Sequence, residues 1–149
     1  MMNRTTAERV QQAQRRLETE ANVWISTASA EGLPHLVPLS LAWIDDRVVV
    51  ATPSTTPTAR NAAASRRARA ALDDADDVVI IDADVEILDV DTAAPAVTER
   101  YVARVGWDPR TIEGAWSLLL LTPRRVFAWI GPGEIDGRTI MRDGRWLDG

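Results

Sequence analysis

Apolar residues fall at two different spacings along this chain. Val10, Ala13, Leu17 and Ala21 recur every three or four positions between polar flanks, as on an amphipathic helix, and Thr5 with Glu8 supplies a T-x-x-E capping box at its start. The pattern predicts a helix from Thr6 to Glu20. After it the period shortens to two. Strands are predicted over Asn22–Ala28 and over a long run from His35 to Ile44, in which His35, Val37, Leu39, Leu41 and Trp43 share one face. Asp45-Asp46 turns the chain into a short β-branched strand, Arg47–Ala51, which completes a three-strand meander.

The segment from Thr52 to Asn61 begins as a loop and becomes helical through Ala62-Ala63-Ala64, with Thr56 as N-cap and Pro57 as the first helical residue. Strands follow over Arg69–Leu72 and Val78–Leu88, then a second helical pattern over Pro95–Val105 that stops at Gly106. Trp116–Leu121 and Val126–Ile130 read as a strand pair around Thr122-Pro123-Arg124-Arg125. Asp143-Gly144 marks a C-terminal hairpin joining Thr139–Met141 to Arg145–Leu147. Six or seven strands, three helical patches and short connections predict an α+β protein whose antiparallel sheet closes into a barrel. At 149 residues, a single domain over 1–149 is the expectation.

Composition narrows the chemistry. There is no cysteine, which removes disulfides, thiolate nucleophiles and Cys-type metal sites, and permits a reducing, cytoplasmic setting. His35 is the only histidine, so a His-rich metal site is excluded and a Ser-His-Asp triad would rest on that one residue. Asp73 to Asp77 has neither the central glycine nor the terminal glutamate of a calcium loop. No P-loop and no G-x-G-x-x-G occurs. The apolar stretch Ser117–Leu121 is far below a membrane span, and the N-terminus lacks a signal-peptide core, so a soluble intracellular protein is expected.

Net charge is −5, which opposes a grip on nucleic-acid phosphates. The charge is unevenly spread. All 17 basic residues are arginine, and Arg60, Arg66, Arg67 and Arg69 follow the hydroxyls of Ser54, Thr55, Thr56 and Thr58 with no acid among them. Residues 73 to 91 then carry nine acids and no base. Helix starts and arginine forks both bind phosphate, which makes Arg60, in the first turn, the candidate ligand. The plainer reading of the same residues is a capped loop followed by a solvated helix. Trp107 and Trp146 lie where a ligand rim or partner subunit could be reached, whereas Trp24, Trp43, Trp116 and Trp129 fall in strand patterns that packing explains.

The succession Val23-Trp24-Ile25-Ser26-Thr27, Gly32-Leu33-Pro34-His35-Leu36-Val37-Pro38-Leu39, Val48-Val49-Val50-Ala51-Thr52-Pro53, Thr58-Ala59-Arg60-Asn61 and Arg67-Ala68-Arg69-Ala70 resembles the flavin-binding split β-barrel family. That family comprises the pyridoxamine 5'-phosphate oxidase-like proteins and the deazaflavin (F-420)-dependent reductases. The resemblance runs from about residue 8 to 130. It implies a six-stranded split barrel with flanking helices, a homodimer, and FMN or F-420 in a groove at the dimer interface. By the same resemblance Arg60 and Asn61 bind the cofactor phosphate with Ser54 and Thr58 as hydroxyl donors, and the ring lies along Leu36, Val37 and Pro38 and along Ala51, Thr52 and Pro53. Thr58 stands where many relatives have lysine. The His35–Leu41 strand also lacks the basic set of the pyridoxamine-phosphate oxidases proper, which argues against that activity. The expected function is hydride transfer between FMN or F-420 and a small organic substrate. A non-enzymatic carrier of flavin, deazaflavin or heme on the same barrel is the alternative, and an interaction domain without cofactor is a third.

Overall fold

The structure is a computed structural model that describes residues 2–148. Helix α1 spans Thr6–Thr19 and opens on the expected capping box: the Thr5 hydroxyl accepts the Glu8 N–H at 3.1 Å and the Glu8 carboxylate accepts the Thr5 N–H at 2.9 Å. Ala13 and Leu17 on its apolar stripe are buried. Strands β1 (Asn22–Ala28), β2 (Pro34–Ser40), β3 (Ala42–Ile44) and β4 (Arg47–Pro53) follow, then α2 (Pro57–Ser65), β5 (Arg67–Ala71), β6 (Asp77–Asp89), α3 (Pro95–Val105) and β7 (Trp116–Ile130). A hairpin of β8 (Thr139–Arg142) and β9 (Arg145–Trp146) completes the order, its Asp143-Gly144 turn having positive φ at both residues. No helix among the described residues is long and apolar enough to cross a membrane.

All strands pair antiparallel in the order β2-β1-β5-β6-β7-β4-β3, with β8 added beside β7. The two ends of that path are consecutive in sequence, separated only by Leu41. Counted as one strand position, β2 and β3 bring the total to six and curl the sheet back on itself into the split barrel. The single strand expected over 35–44 is therefore divided. Ser40 is the last residue paired to β1 and Ala42 the first paired to β4, while the Leu41 N–H leaves the ladder for the Ala21 carbonyl at 2.9 Å.

The expected strand pair around Thr122–Arg125 is instead one strand of 15 residues. Its partner β6 runs alongside for the whole length, and the register slips where Asp82 faces Arg125 and Ala83 faces Pro123. Arg124 is the extra residue of a bulge. Proline, without an N–H, is tolerated there, and the bulge bends the strand instead of reversing it.

Two apolar cores explain the unbroken apolar runs. Inside the barrel, Ile25, Val48, Val50, Ile81, Leu119, Leu121 and Val126 pack together; on the other side of β4 and β7, Val49, Ala51, Leu118 and Leu120 pack beneath α3 against Tyr101. Strand β4 and the first half of β7, Trp116–Leu121, are covered on both faces, so neither alternates. Strands β1, β5 and β6 and the second half of β7 are covered on one face only. Their outward row shows it: Pro38, Trp24, Ala71, Ile80 and Phe127 are successive cross-strand partners, and none of the five is fully buried.

Candidate functional site

The last residues of β4 deliver the chain into α2, and local hydrogen bonds fix how. Thr56 caps the helix, its hydroxyl accepting the Ala59 N–H at 3.2 Å and donating to the Pro53 carbonyl at 3.0 Å. With that proton spent, the 3.0 Å contact between the Thr52 and Thr56 hydroxyls has Thr52 as donor. Ser54 is stapled to the start of β7 by a 2.7 Å hydroxyl contact with Ser117 and by its N–H on the Ala115 carbonyl at 2.9 Å. These bonds fix the conformation of the turn.

The first turn of α2 carries the sequence-predicted anion donors in different states. Thr58 is only 1% exposed, and its hydroxyl has no hydrogen-bond partner. Arg60 is exposed and forms no ion pair among the described residues. Asn61 is half-buried and donates its amide to the Thr27 hydroxyl at 3.2 Å, tying α2 to β1.

The run of arginines does not persist as one cationic patch. Antiparallel register sets Arg69 opposite Asp82 and Arg67 opposite Asp84, and the first pair closes at 2.6 Å and the second at 3.7 Å. Arg124 joins Asp84 from the bulge at 3.4 Å. Blocks of opposite sign in the sequence become a cross-strand ladder in the sheet. In the acidic Asp73–Asp77 turn, Asp74 accepts the N–H groups of Asp76 and Asp77, which holds its carboxyl below the usual range, and Asp77 pairs with Arg16 at 3.2 Å.

Of the ring-facing positions, Pro38, Ala51 and Pro53 meet on a cleft of about 340 Å³ whose walls also include Ser40, Trp107 and Trp116. Thr52 lies behind it, 3% exposed. Leu36, 60% exposed, points to the same outer side of β2 as Pro38, and Val37 points inward. The ten residues therefore do not share one cavity. They form a strip from the cleft along β2 and around the start of α2.

Trp107 and Trp116 line the cleft and Tyr101, fully buried, packs against Trp107; the sequence reading assigned none of the three a site role beyond an accessible position for Trp107. The Tyr101 hydroxyl accepts the Ala51 N–H at 3.2 Å and donates to the Ser40 carbonyl at 3.0 Å, which clamps β4 to β2. Burial pushes its phenol well above the ordinary tyrosine range. The Trp107 indole packs edge-on to Tyr101 and to Trp116, with ring centroids 6.0 and 5.5 Å apart, and donates to the Ser40 hydroxyl at 3.3 Å. A lone tyrosine on the inward stripe of α3 was the available signal.

These features define a split-barrel protein with an aromatic cleft beside a helix start that carries an unpartnered buried hydroxyl and an unpaired arginine. The family model described as pyridoxamine 5'-phosphate oxidase matches residues 10–130, and the chain belongs to that family. No curated protein matches the sequence. Among solved structures the chain is similar to a heme binding protein from Mycobacterium smegmatis, at 19% identity and a TM-score of 0.70, covering 97% of this chain and 60% of that one. It is similar to an F420 reductase at 17% identity and a TM-score of 0.62, over 76% of this chain and 94% of that one. A Clostridium acetobutylicum protein related to general stress protein 26, of the pyridoxinephosphate oxidase family, aligns at 13% identity with a TM-score of 0.64, over 85% and 91% of the two chains. At these identities the likenesses establish the fold.

Proposed function

We propose that this chain is a homodimeric oxidoreductase that binds FMN or the deazaflavin F-420 and moves a hydride between the ring and a small organic substrate, residues 1–149 forming one cofactor-binding domain. The observation that carries the reading is the passage from Thr52 to Asn61. It lines an aromatic cleft at one end and at the other presents a buried hydroxyl with no partner and an arginine with no ion pair.

A phosphate needs donors that nothing else has claimed. The Thr58 hydroxyl and the Arg60 guanidinium meet that requirement, while Ser54 and Asn61 would share or exchange the partners they hold at 2.7 and 3.2 Å. The ring positions are Leu36, Val37 and Pro38 on β2 with Ala51, Thr52 and Pro53 on β4. A bound flavin or deazaflavin supplies the hydride chemistry itself. The chain supplies geometry. Tyr101 ties the two ring-bearing strands together through its bonds to the Ala51 N–H and the Ser40 carbonyl. Trp107 and Trp116 exclude water from the cleft. The half-exposed outer row from Pro38 through Trp24 to Phe127, continuous with Leu36, offers the second copy an apolar face beside the ring positions.

The second reading, a non-enzymatic carrier of flavin, deazaflavin or heme, is favoured by the cleft's lining, which contains no ionisable side chain. Absorption titrations of the purified protein with FMN, F-420 and heme separate the two. Saturable binding of FMN or F-420 at micromolar concentration, with reoxidation of the reduced cofactor by an added organic acceptor, is the expected result. Heme binding alone selects the carrier, and no binding of any of the three overturns both.

A further inference from the structure

The outward face of β1, β5, β6 and β7 is apolar along its middle and carries opposite charges at two of its corners. Beside the turn from β5 to β6, the half-buried indoles of Trp24 and Trp129 wall a cleft of about 410 Å³ with Val78 and Ile80, and Asp73 and Asp74 form its rim. Both carboxylates are held in place from within the chain. Asp73 accepts the Trp24 indole N–H at 3.2 Å, and Asp74 accepts the N–H groups of Asp76 and Asp77 at 2.9 and 3.2 Å. Neither forms an ion pair among the described residues, and no basic side chain lines the cleft.

At the β7 edge of the same face the sign is reversed. The exposed Arg125 and Arg138 guanidiniums lie 5.8 and 6.0 Å from the centre of the Phe127 ring, and neither forms an ion pair among the described residues. Ile80, the cross-strand partner of both Ala71 and Phe127, lies between the two corners. A small ligand in the cleft would leave the rest of the row, from Pro38 to Phe127, in water, whereas apolar faces continuous over several strands mark protein contacts. A two-fold symmetric contact requires one surface to carry both halves of every pair it makes, because residue i meets j of the other copy and j meets i. This face meets that requirement, with unpaired carboxylates at one corner and unpaired guanidiniums at the other.

We propose that a second copy of this chain docks on this face with its Arg125–Phe127–Arg138 corner seated on the Trp24–Trp129 cleft. Two equivalent contacts then form, each pairing Asp73 and Asp74 of one copy with Arg125 and Arg138 of the other, and the guanidiniums gain an indole face as well. The inference rests on the homodimeric reading and adds to it which corners meet.

Charge reversal with cross-rescue tests it. Asp73→Arg with Asp74→Arg makes both corners basic, and Arg125→Glu with Arg138→Glu makes both acidic. Sedimentation velocity of the full chain measures dimer dissociation, and circular dichroism melts check folding. Because Asp74 also holds two N–H groups of its turn, Asp73→Arg alone takes the place of the double variant if that one does not fold. The expected result is a wild-type dimer, a dissociation constant raised at least about tenfold in each variant alone, where like charges face each other, and a heterodimer of near wild-type affinity when the two variants are mixed. Variants that dimerise as tightly as the wild type overturn the inference, and so does a mixture that associates no better than either variant alone. A wild-type chain that stays monomeric overturns the homodimeric reading together with this inference, whereas a wild-type dimer indifferent to reversal overturns only the pairing of the corners.

Discussion

Two polar clusters in this chain differ in how completely their donors and acceptors are matched. In the first, Glu134, 3% exposed, accepts the Arg4 backbone N–H at 2.7 Å, the Arg4 guanidinium at 2.8 Å and the Ile130 N–H at 2.8 Å. Beside it the buried Arg9 guanidinium donates to the Gly137 carbonyl at 2.7 Å and the Ala128 carbonyl at 3.3 Å, while its Nε is buried without a partner. In the second, at the start of α2, the Thr58 hydroxyl is buried without a partner and Arg60 has no counter-ion. Matched groups fasten α1 and the N-terminal segment to the end of β7. At the start of α2 the unmatched groups are the ones with capacity for a ligand.

Breaking the matched cluster should have the largest effect. Glu134→Ala leaves the Arg4 guanidinium and the Ile130 N–H without their acceptor, and should cost about 3 kcal/mol of stability in urea denaturation. Cofactor affinity of the folded fraction should not change. The same cluster sets an acid limit. Hydrogen bonds from the Arg4 side chain, foremost, hold the Glu134 carboxyl at about 2, below its ordinary 4.5. Because the folded value is the lower one, the stabilisation is complete above pH 4.5 and is lost as pH falls from there towards 2. A urea midpoint that stays flat over that window in the wild-type protein, or falls equally in Glu134→Gln, would contradict this.

Arg60→Ala addresses the unmatched cluster. It should weaken FMN or F-420 binding by about 1.5 to 3 kcal/mol, the scale of one charge-assisted hydrogen bond, with no change in Tm, because the side chain supports nothing else. An unchanged dissociation constant would put the phosphate elsewhere. Thr58→Val sharpens the contrast within one turn. Removing a buried hydroxyl that bonds nothing should raise stability by about 1 kcal/mol, and if the hydroxyl serves the phosphate, affinity should fall together with that gain. A loss of stability would show that Thr58 already has a structural partner.

The sequence made local features legible and left contacts between distant segments hidden. The Thr5–Glu8 capping box, the Thr56 cap with Pro57 behind it, and the Asp143-Gly144 turn each involve residues within three or four positions, so spacing alone identifies them. The division of 35–44 at Leu41 depends on which strands lie on either side, and the bulge at Arg124 on a partner about 40 residues away, so a run of apolar residues or a proline could not reveal either. The same holds for the site. The Thr52–Asn61 segment is legible because a helix start and its hydroxyls are contiguous. The Tyr101 clamp joins residues 50 and 61 positions apart, and the Glu134 cluster joins residues 130 apart.

Charge was the feature most altered by folding, and it leads to the smallest expected effect. In sequence Arg67 and Arg69 extend the cationic run that begins at Arg60; in the sheet they face Asp84 and Asp82. The Arg69 side chain is 57% exposed, so water and salt screen its pair even at 2.6 Å. Arg69→Ala should therefore cost less than about 1 kcal/mol, shrink further in 1 M salt, and leave cofactor affinity unchanged. If instead it weakened cofactor binding as much as Arg60→Ala, the division between paired and free arginines would fail, and the anion site would have to extend from α2 onto β5. Equal sensitivity of the two variants to salt would point the same way, because a free arginine contacting a phosphate and an exposed arginine already paired to Asp82 respond to ionic strength through different partners.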